Sequence, residues 1–267
     1  MKLVEINQDR CIRCSICTKV CPVNILKMEE SGISAVAPEA CIACGHCVAV
    51  CPEAAIDNGK APLVNQSALD VYPVIPQETA EKFLRARRSV RCYKDAPVSR
   101  EKLLQLVETG RYASTASNRQ GVAYMVVENR KLLRDVSRVV VEWMEGLDPS
   151  SHWSFAHHIR AYREQQQDTI LRDAPHLILG LTEKNFARGR ENTIFSLAYL
   201  ELYATSLGLG SCWAGLLEMC ITAEYAPLLR LFDTPADRQI TGAIMVGYPR
   251  YQYKRLVDRN SLEIMWK

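Results

Sequence analysis

The sequence predicts an α+β protein of two domains: a small cysteine-rich one, then a larger one of mixed helices and strands. Eight of the eleven cysteines in the 267-residue chain lie between Cys11 and Cys51. Residues 61–79 contain three prolines and no sustained helical period, which is typical of a linker. Beyond the linker, helical periodicity alternates with apolar strand-like segments, as expected for an α+β domain. We therefore place the domains at 1–60 and 80–267.

Composition excludes several classes of protein. The apolar fraction of 48% supports a sizeable core, and a net charge of +3 gives no reason to expect a nucleic-acid partner. No run of eighteen apolar residues indicates a transmembrane helix, and the N-terminus lacks the features of a signal peptide. We therefore expect a cytoplasmic protein, in which a disulfide framework is not favoured and metal ligation is the natural use of clustered cysteines.

Residues 11–22 recur as residues 41–52, at an offset of 41 − 11 = 30 residues, and each copy reads C-x₂-C-x₂-C-x₃-C-P. This is the run of bacterial ferredoxins with two 4Fe–4S clusters, in which the fourth cysteine ligates the other cluster. The alternative is a pair of zinc sites, but zinc favours two cysteine pairs separated by a longer loop. The predicted ligands are Cys11, Cys14, Cys17 and Cys51 for cluster I, and Cys41, Cys44, Cys47 and Cys21 for cluster II.

The second domain is predicted element by element from apolar periodicity and capping residues. Ser99 is a good helix N-cap, and Val98 and Leu103 are placed as a hydrophobic staple. Thr222 is predicted to cap a further helix through Leu231. The remaining predicted helices are 81–88, 130–145 and 191–207, and the predicted strands are 122–127, 176–181 and 240–248.

Three arginines and a serine lie within five residues at the end of the predicted helix 81–88. Guanidinium groups bind phosphate in bidentate fashion, and a hydroxyl adds a hydrogen bond. The alternative is a solvated basic face. The residues of this segment are Arg87, Arg88, Ser89 and Arg91.

Together with this segment, three later blocks resemble the nitroreductase family of FMN enzymes. They are residues 110–120, residues 207–215 and residues 246–250, the last followed by a basic tail. The blocks keep the family order over residues 80–267, so the chain resembles a ferredoxin–nitroreductase fusion. The resemblance implies FMN as a cofactor and a homodimer with the flavin in its interface.

The resemblance also implies roles for individual residues. Arg87, Arg88, Ser89 and Arg91 match the segment that holds the FMN phosphate and the pyrimidine edge of the flavin. Arg259 matches a second phosphate contact, with Arg255 as an alternative in the same tail. Ala214 and Gly215 match the turn whose backbone N–H faces flavin N5. Ser114, Thr115, Ala116 and Asn118 match a loop that reaches the flavin, partly from the other subunit.

The chain departs from the family pattern in this last loop. Ser114 stands where the family often has proline, and Gly121-Val122 stands where it often has Pro-Trp, so the partner-chain contacts are the part of the resemblance least supported. Gly208 and Gly210 do not form a dinucleotide fingerprint, because the position of the third glycine is Trp213 and the preceding element is a predicted helix.

Two other features allow more than one interpretation. Residues 141–167 are rich in aromatic residues and histidines, and they are either a substrate lid or a packed helical excursion. Cys92, Cys212 and Cys220 are predicted to be small buried apolar residues.

The leading hypothesis is a reductase that passes electrons from its clusters through FMN to a small electron-poor acceptor such as a nitroaromatic or a quinone. An external ferredoxin, a flavodoxin or NAD(P)H could supply the electrons. The alternatives are an electron-transfer subunit, a redox sensor, and a family enzyme that reduces C=C bonds, dehalogenates or fragments flavin. No residue was assigned as catalytic.

Overall fold

The computed structural model describes residues 3–267 and divides them into two units. The first unit runs to Val74 and includes the later segment Ala116–Arg119. The second consists of Ile75–Thr115 and Gln120–Lys267. No helix among the described residues is long and apolar enough to cross a membrane.

The first unit contains two antiparallel strand pairs and two short helices. Strand β1 pairs with β4, and β2 pairs with β3. A small apolar core that includes Val4, Ile25 and Ile56 lies among them. In chain order the elements are β1 (Val4–Ile6), α1 (Ile16–Val20), β2 (Leu26–Glu29), β3 (Gly32–Ala35), α2 (His46–Ala49) and β4 (Ile56–Asn58).

The sequence repeat is also a repeat of backbone conformation. Helices α1 and α2 begin 30 residues apart, as do β2 and β4. Three pairs of residues at the same offset have left-handed backbone: Arg13 and Ala43, Ser15 and Gly45, and Asn24 and Ala54. Both cysteine loops therefore follow the same path, although glycine occupies only one of these six positions.

The second unit is built on a four-stranded antiparallel sheet in the order β5-β6-β8-β7. The strands are β5 (Ala123–Val127), β6 (His176–Glu183), β7 (Gly210–Trp213) and β8 (Arg238–Gly247). The helices are α3 (Gln77–Ala86), α4 (Arg100–Gly110), α5 (Arg130–Glu145), α6 (Phe155–Gln165), α7 (Gly189–Ser206), α8 (Gly215–Thr222) and α9 (Ala226–Phe232).

Both faces of this sheet are covered, which explains why β6 reads as a continuous apolar run. Leu177 and Leu179 pack into a core beneath α5, α6, α8 and α9. Ile178, which points to the opposite face, packs with residues of α4 and α7. Two glycines in the central strands let α7 approach closely, because a Cβ added at Gly180 or Gly242 would collide with Thr193.

Several predicted boundaries match the structure and one assignment is wrong. Helix 130–145 is found with the predicted ends, and Ser99 Oγ accepts a hydrogen bond from Lys102 N–H at 3.3 Å as the N-cap of α4. Thr222 does not cap a helix; it ends α8. The chain then turns through Glu224, which has a φ of 51°, before α9 begins at Ala226 with a proline in its first turn.

The prediction for the three cysteines outside the repeat is partly wrong. Cys212 and Cys220 are buried, as predicted, but Cys92 is exposed. Cys92 belongs to an irregular segment beyond the arginines, where its backbone carbonyl accepts a hydrogen bond from Arg250 N–H at 3.0 Å. An apolar side chain in such a segment has no regular periodicity that would assign it to a core.

Candidate functional sites

The first cysteine set is brought together in the first unit. A small cavity is lined by four thiol-bearing residues, and these are the four predicted for cluster I: Cys11, Cys14, Cys17 and Cys51. Cys51 comes from the second repeat, so the cavity reproduces the exchange of the fourth ligand that the motif implies.

Cysteines of the second set also lie together, since Cys21, Cys41 and Cys47 pack against the same small apolar core. Burial raises the pKa of Cys47 to about 11, and the N–H of Val48 partly offsets the increase. Repulsion from Cys44, Cys41 and Cys21 raises the Cys47 pKa further. These three neighbours and Cys47 are the four residues predicted for cluster II. Because metal ligation deprotonates thiols, the positive charge of iron would reverse this repulsion.

The backbone around the sulfurs is arranged for an anionic group. Residues with left-handed backbone, such as Arg13 and Ser15, lie on either side of Cys14, and irregular turns of this kind expose backbone N–H groups to anions such as iron–sulfur clusters and phosphates. Ala43 N–H lies 3.4 Å from Cys41 Sγ, and Ala55 N–H lies 3.2 Å from Cys51 Sγ. Such hydrogen bonds are one of the determinants of cluster potential.

The donor set fits a cluster. All eight predicted ligands are thiols, which suit iron–sulfur chemistry. No group of three or more His, Cys, Asp or Glu side chains within residues 3–267 is arranged to hold one metal ion. Each cysteine of a cubane binds a different iron, so cluster ligands are not expected to converge on a single point.

In the second unit, the arginine segment is fixed against the sheet. Helix α3 ends at Ala86, two residues earlier than predicted, and the following backbone is extended. Val90 N–H donates to Ser211 O at 2.9 Å, and Ser89 forms an isolated parallel bridge with Ser211. The arginine backbone therefore lies beside the start of β7.

Two clefts flank this segment. One, the Glu201 cleft, has a volume of about 440 Å³. The other, the Arg259 cleft, has a volume of about 450 Å³ and is lined by residues of the C-terminal tail together with the arginines. Residues lining the Glu201 cleft include Arg87, Arg88, Lys94, Glu201, Ser211 and Tyr253, and those lining the Arg259 cleft include Glu81, Arg85, Arg87, Arg88, Asp258 and Arg259.

The cations of the two clefts differ in their partners. Arg85 pairs with Glu81 at 3.0 Å, and Arg87 pairs with Glu201 at 3.5 Å. Among the described residues, no carboxylate pairs with Arg88 or Arg259. The Arg88 guanidinium instead lies 5.9 Å from the centre of the Tyr253 ring. Arg88 and Arg259 therefore have charge available for an anion.

Glu201 is a site residue that the sequence analysis missed. Burial raises the pKa of its carboxyl group, while Arg87 and a hydrogen bond from Ser211 Oγ at 3.2 Å lower it. A single carboxylate within the apolar run of α7 was the available signal. Its contact with Arg87, 114 positions away in the chain, could be found only in the fold.

The turn after β7 distinguishes between the two residues proposed for flavin N5. Ala214 N–H is already donated to Ala243 O at 2.9 Å. Gly215 is the first residue of α8, where a helix has no internal acceptor for the N–H. Gly215 is therefore the better placed of the two to face a flavin.

Gly215 also lines a third cleft, of about 470 Å³, with Trp143 and Phe155 in its wall. This Trp143 cleft also contains Glu218, whose Oε1 accepts Ala243 N–H at 2.9 Å. Burial raises the Glu218 pKa, while nearby Trp213 and Arg190 lower it. Residues 155–165 of the aromatic segment form helix α6, and Trp143 and Phe155 of the same segment line this cleft.

The remaining candidates are placed less directly. Arg91 donates to Ser89 O at 3.4 Å. Arg255 is exposed and lines neither arginine cleft. In the loop of residues 114–120, Ser114 is exposed, and Thr115 Oγ1 accepts Gln120 N–H at 3.0 Å.

Ala116 and Asn118 of this loop belong to the first unit. The Asn118 amide donates to Ile42 O at 3.1 Å and to Ala43 O at 2.9 Å, within the loop that carries Cys41 and Cys44. The prediction that Asn118 reaches a flavin remains a prediction.

A cysteine-rich unit and an α+β unit with arginine-lined clefts are the features expected of a redox protein that combines iron–sulfur and flavin modules. The chain belongs to the nitroreductase family, a class of FMN-dependent oxidoreductases, because the nitroreductase family model matches residues 84–248, more than half of its length. A 4Fe-4S dicluster domain model matches residues 3–52. The predicted order of domains, a ferredoxin-like module followed by a nitroreductase module, is confirmed.

Comparison with individual proteins agrees with the fold. A nitroreductase with bound FMN from Bacteroides fragilis has a TM-score of 0.58 and 22% identity, covering 72% of this chain and 100% of that one. A nitroreductase with bound FMN from Desulfitobacterium hafniense has a TM-score of 0.60 and 18% identity, with coverages of 72% and 99%. An iodotyrosine deiodinase from Thermotoga neapolitana is 24% identical over 167 residues, 61% of this chain and 84% of that one.

Proposed function

We propose that this protein is a reductase in which two 4Fe–4S clusters supply electrons to FMN, which reduces a small electron-poor organic acceptor such as a nitroaromatic or a quinone. The observation that carries the proposal is the presence, in one chain, of eight cysteines grouped as two ligand sets and of a nitroreductase unit with cationic clefts. Two clusters that each carry one electron match the two electrons that convert a quinone to a hydroquinone.

The FMN phosphate is assigned to the arginine segment. A dianionic phosphate needs fixed cations, and among the described residues Arg88 and Arg259 are the guanidinium groups lining the two clefts that have no carboxylate partner. Arg87 and Ser89 lie beside them, with Arg87 held by Glu201. When bound, FMN supplies the hydride and electron chemistry, while the protein binds and orients it. Gly215 N–H, at the start of α8, is the group we assign to the flavin N5 edge.

The acceptor is assigned to the Trp143 cleft. This cleft begins at Gly215, so a molecule bound there would lie next to the proposed N5 position. Trp143 and Phe155 pack edge to face at 5.5 Å between ring centroids and supply an apolar wall suited to a planar ring. Arg190 lines the same cleft and adds a positive charge, although its guanidinium is shared with Glu218 at 3.4 Å.

We further propose that the protein is a homodimer. Helix α7 packs on the sheet through one side, yet its other side presents Ile194, Phe195 and Tyr199 to solvent. A helix that is apolar all round is normally buried, and a second copy of the chain is the occupant that the family resemblance implies.

Oxygen-sensitive clusters fit a reducing cytoplasm, where we expect a ferredoxin, flavodoxin or NAD(P)H to act as donor.

A carbon–halogen reductase is the second candidate. It is favoured by the iodotyrosine deiodinase relative from Thermotoga neapolitana. Both candidate functions use the same cofactors, so they differ only in the acceptor.

The test is an anaerobic measurement of iron, sulfide and released flavin per chain, followed by a panel of acceptors. About eight irons and one FMN per chain are expected, because each cubane holds four irons. The fully reduced protein is then mixed with a nitroaromatic, a quinone and a halogenated tyrosine. Iron and sulfide without any flavin would overturn the proposal, and oxidation by the halogenated compound alone would favour the second candidate.

A further inference from the structure

Asn58 is a buried polar side chain next to the second cysteine set. It ends β4 and is only 1% exposed, in a unit whose core is otherwise apolar. A buried amide is costly unless both of its ends are hydrogen-bonded, so its partners indicate what holds it there.

The two ends of the amide have different partners. Asn58 Nδ2 donates to Cys41 Sγ at 3.5 Å, and Asn58 Oδ1 accepts from Lys60 N–H at 3.0 Å. The opposite orientation would place the NH₂ group against another donor, Lys60 N–H, so the contacts define which end faces the sulfur. Asp57 Oδ1 accepts both Asn58 N–H at 2.7 Å and Leu63 N–H at 2.8 Å, which fixes the turn.

This contact has no equivalent in the first repeat. Thirty residues earlier, Met28 stands at the position of Asn58 and Cys11 at that of Cys41. Met28 is exposed and its thioether has no N–H to donate. In the part of the chain that the structure describes, Cys41 Sγ receives two N–H groups, from Ala43 and Asn58, whereas Cys11 Sγ receives none.

We propose that Asn58 is a positioning residue that raises the reduction potential of cluster II through Cys41. The inference rests on the proposed ligation of cluster II by Cys41. A cluster gains negative charge when it takes up an electron, so a fixed N–H donor on one of its sulfurs stabilises the reduced state more than the oxidised state. Cluster I lacks this donor and its potential is independent of residue 58.

The experiment is a redox titration of the anaerobic full-length protein, followed by the EPR signals of the two reduced clusters. Asn58→Leu removes the donor at similar volume, and Asn58→Asp replaces it with an acceptor while keeping a partner for Lys60. We expect one potential to fall in Asn58→Leu by about 59 mV or more, a tenfold change in the ratio of reduced to oxidised cluster. It should fall further in Asn58→Asp, and the other potential should stay unchanged.

Two control variants separate this effect from loosening of the fold. Asp57→Ala weakens the same turn but leaves the Asn58 amide in place, and Met28→Leu changes the equivalent position of the first repeat. Neither should move either potential. The inference would be overturned if the Asn58 variants left both cluster potentials at their wild-type values, or if Asp57→Ala lowered one potential by the same amount. Either result would leave the proposed function intact.

If the Asn58 variants do not retain clusters, a spectroscopic test replaces them. Protein labelled with ¹⁵N-asparagine should show coupling between an amide nitrogen and one reduced cluster in pulsed EPR. The Asn118→Ala background removes a second asparagine amide, which donates to the Cys41 loop. Absence of any such coupling would overturn the inference, whereas absence of a second cluster from the wild-type protein would instead contradict the proposed function.

Discussion

At the scale of single residues, the proposed phosphate site depends on which arginine is not already paired with a carboxylate. Arg88 has no carboxylate partner among the described residues, whereas Arg87 shares its charge with Glu201. We expect Arg88→Ala to weaken FMN binding by about tenfold to a hundredfold, since a hydrogen bond to a charged group contributes about 1.5–3 kcal/mol. The dissociation constant is measured by titrating the flavin-free protein with FMN while flavin fluorescence is monitored.

Arg134→Ala is the matched control for this prediction, because Arg134 is an exposed arginine of α5 that lines none of the three clefts. It removes the same charge from the second unit and should leave FMN affinity unchanged. Equal losses in both variants would mean that net charge, and not the Arg88 site, controls binding.

His176 makes stability depend on pH. It is buried at the start of β6, and its Nε2 accepts Val98 N–H at 2.8 Å, so the ring must be neutral. Burial lowers the His176 pKa below its usual 6.5; Glu128 partly offsets this decrease, and Arg130 adds to it. The folded state therefore binds a proton more weakly than the unfolded chain does. The resulting stability is present above pH 6.5 and is lost as the pH falls from there towards the lowered value.

His176→Gln should remove this component, since an amide oxygen accepts the Val98 N–H at every pH. The free energy of unfolding of the variant, measured between pH 5 and pH 8, should therefore fall less towards low pH than that of the wild type. His157→Gln changes an exposed histidine of α6 and should retain the wild-type slope. Identical slopes in wild type and His176→Gln would contradict the assignment.

At the scale of elements, the predictions that held were those supported by local signals. Ser99 caps α4 because its hydroxyl is three residues from the Lys102 N–H it accepts, a relation that the sequence alone specifies. Helix α5 was found with its predicted ends because its apolar stripe is regular. Helix α8 was missed because Gly215–Thr222 is short and mostly apolar, and such a run cannot be distinguished by periodicity from a buried strand.

The candidate sites also combine features that local sequence predicts with features that only the fold reveals. The motif spacing is enough to assign the eight cysteines to two sets, because each set is defined by a loop of seven residues and one distant cysteine. Contacts between segments far apart in the chain could not be predicted in this way. Glu201 beside Arg87, Asn58 beside Cys41 and Asn118 beside Ile42 all depend on how the elements pack.

Helix α7 leads to a prediction about assembly. Phe195 is 53% exposed on the apolar outer side of this helix. Phe195→Asp should convert the dimer into a monomer, because a carboxylate at an apolar interface would be desolvated without a partner. Sedimentation velocity gives the mass directly. Leu104→Asp, at a leucine of α4 that is 60% exposed, is the control and should leave the dimer intact. A monomeric wild-type protein, or a dimeric Phe195→Asp variant, would contradict this interface.

At the scale of the whole molecule, each unit has its own apolar core, so the two cofactor systems should be separable. Cys44→Ala removes one ligand of cluster II and should lower the iron content from about eight to about four per chain, with FMN content unchanged. If electrons pass from the clusters to the flavin, Cys44→Ala should reduce a quinone much more slowly than the wild type when reduced ferredoxin is the electron donor. Direct chemical reduction of the flavin by dithionite should still support quinone reduction at the wild-type rate. Cys220→Ala, at a buried cysteine of α8, is the matched control and should keep all irons and both activities. Wild-type rates with ferredoxin in Cys44→Ala would show that electrons enter the flavin without passing through cluster II.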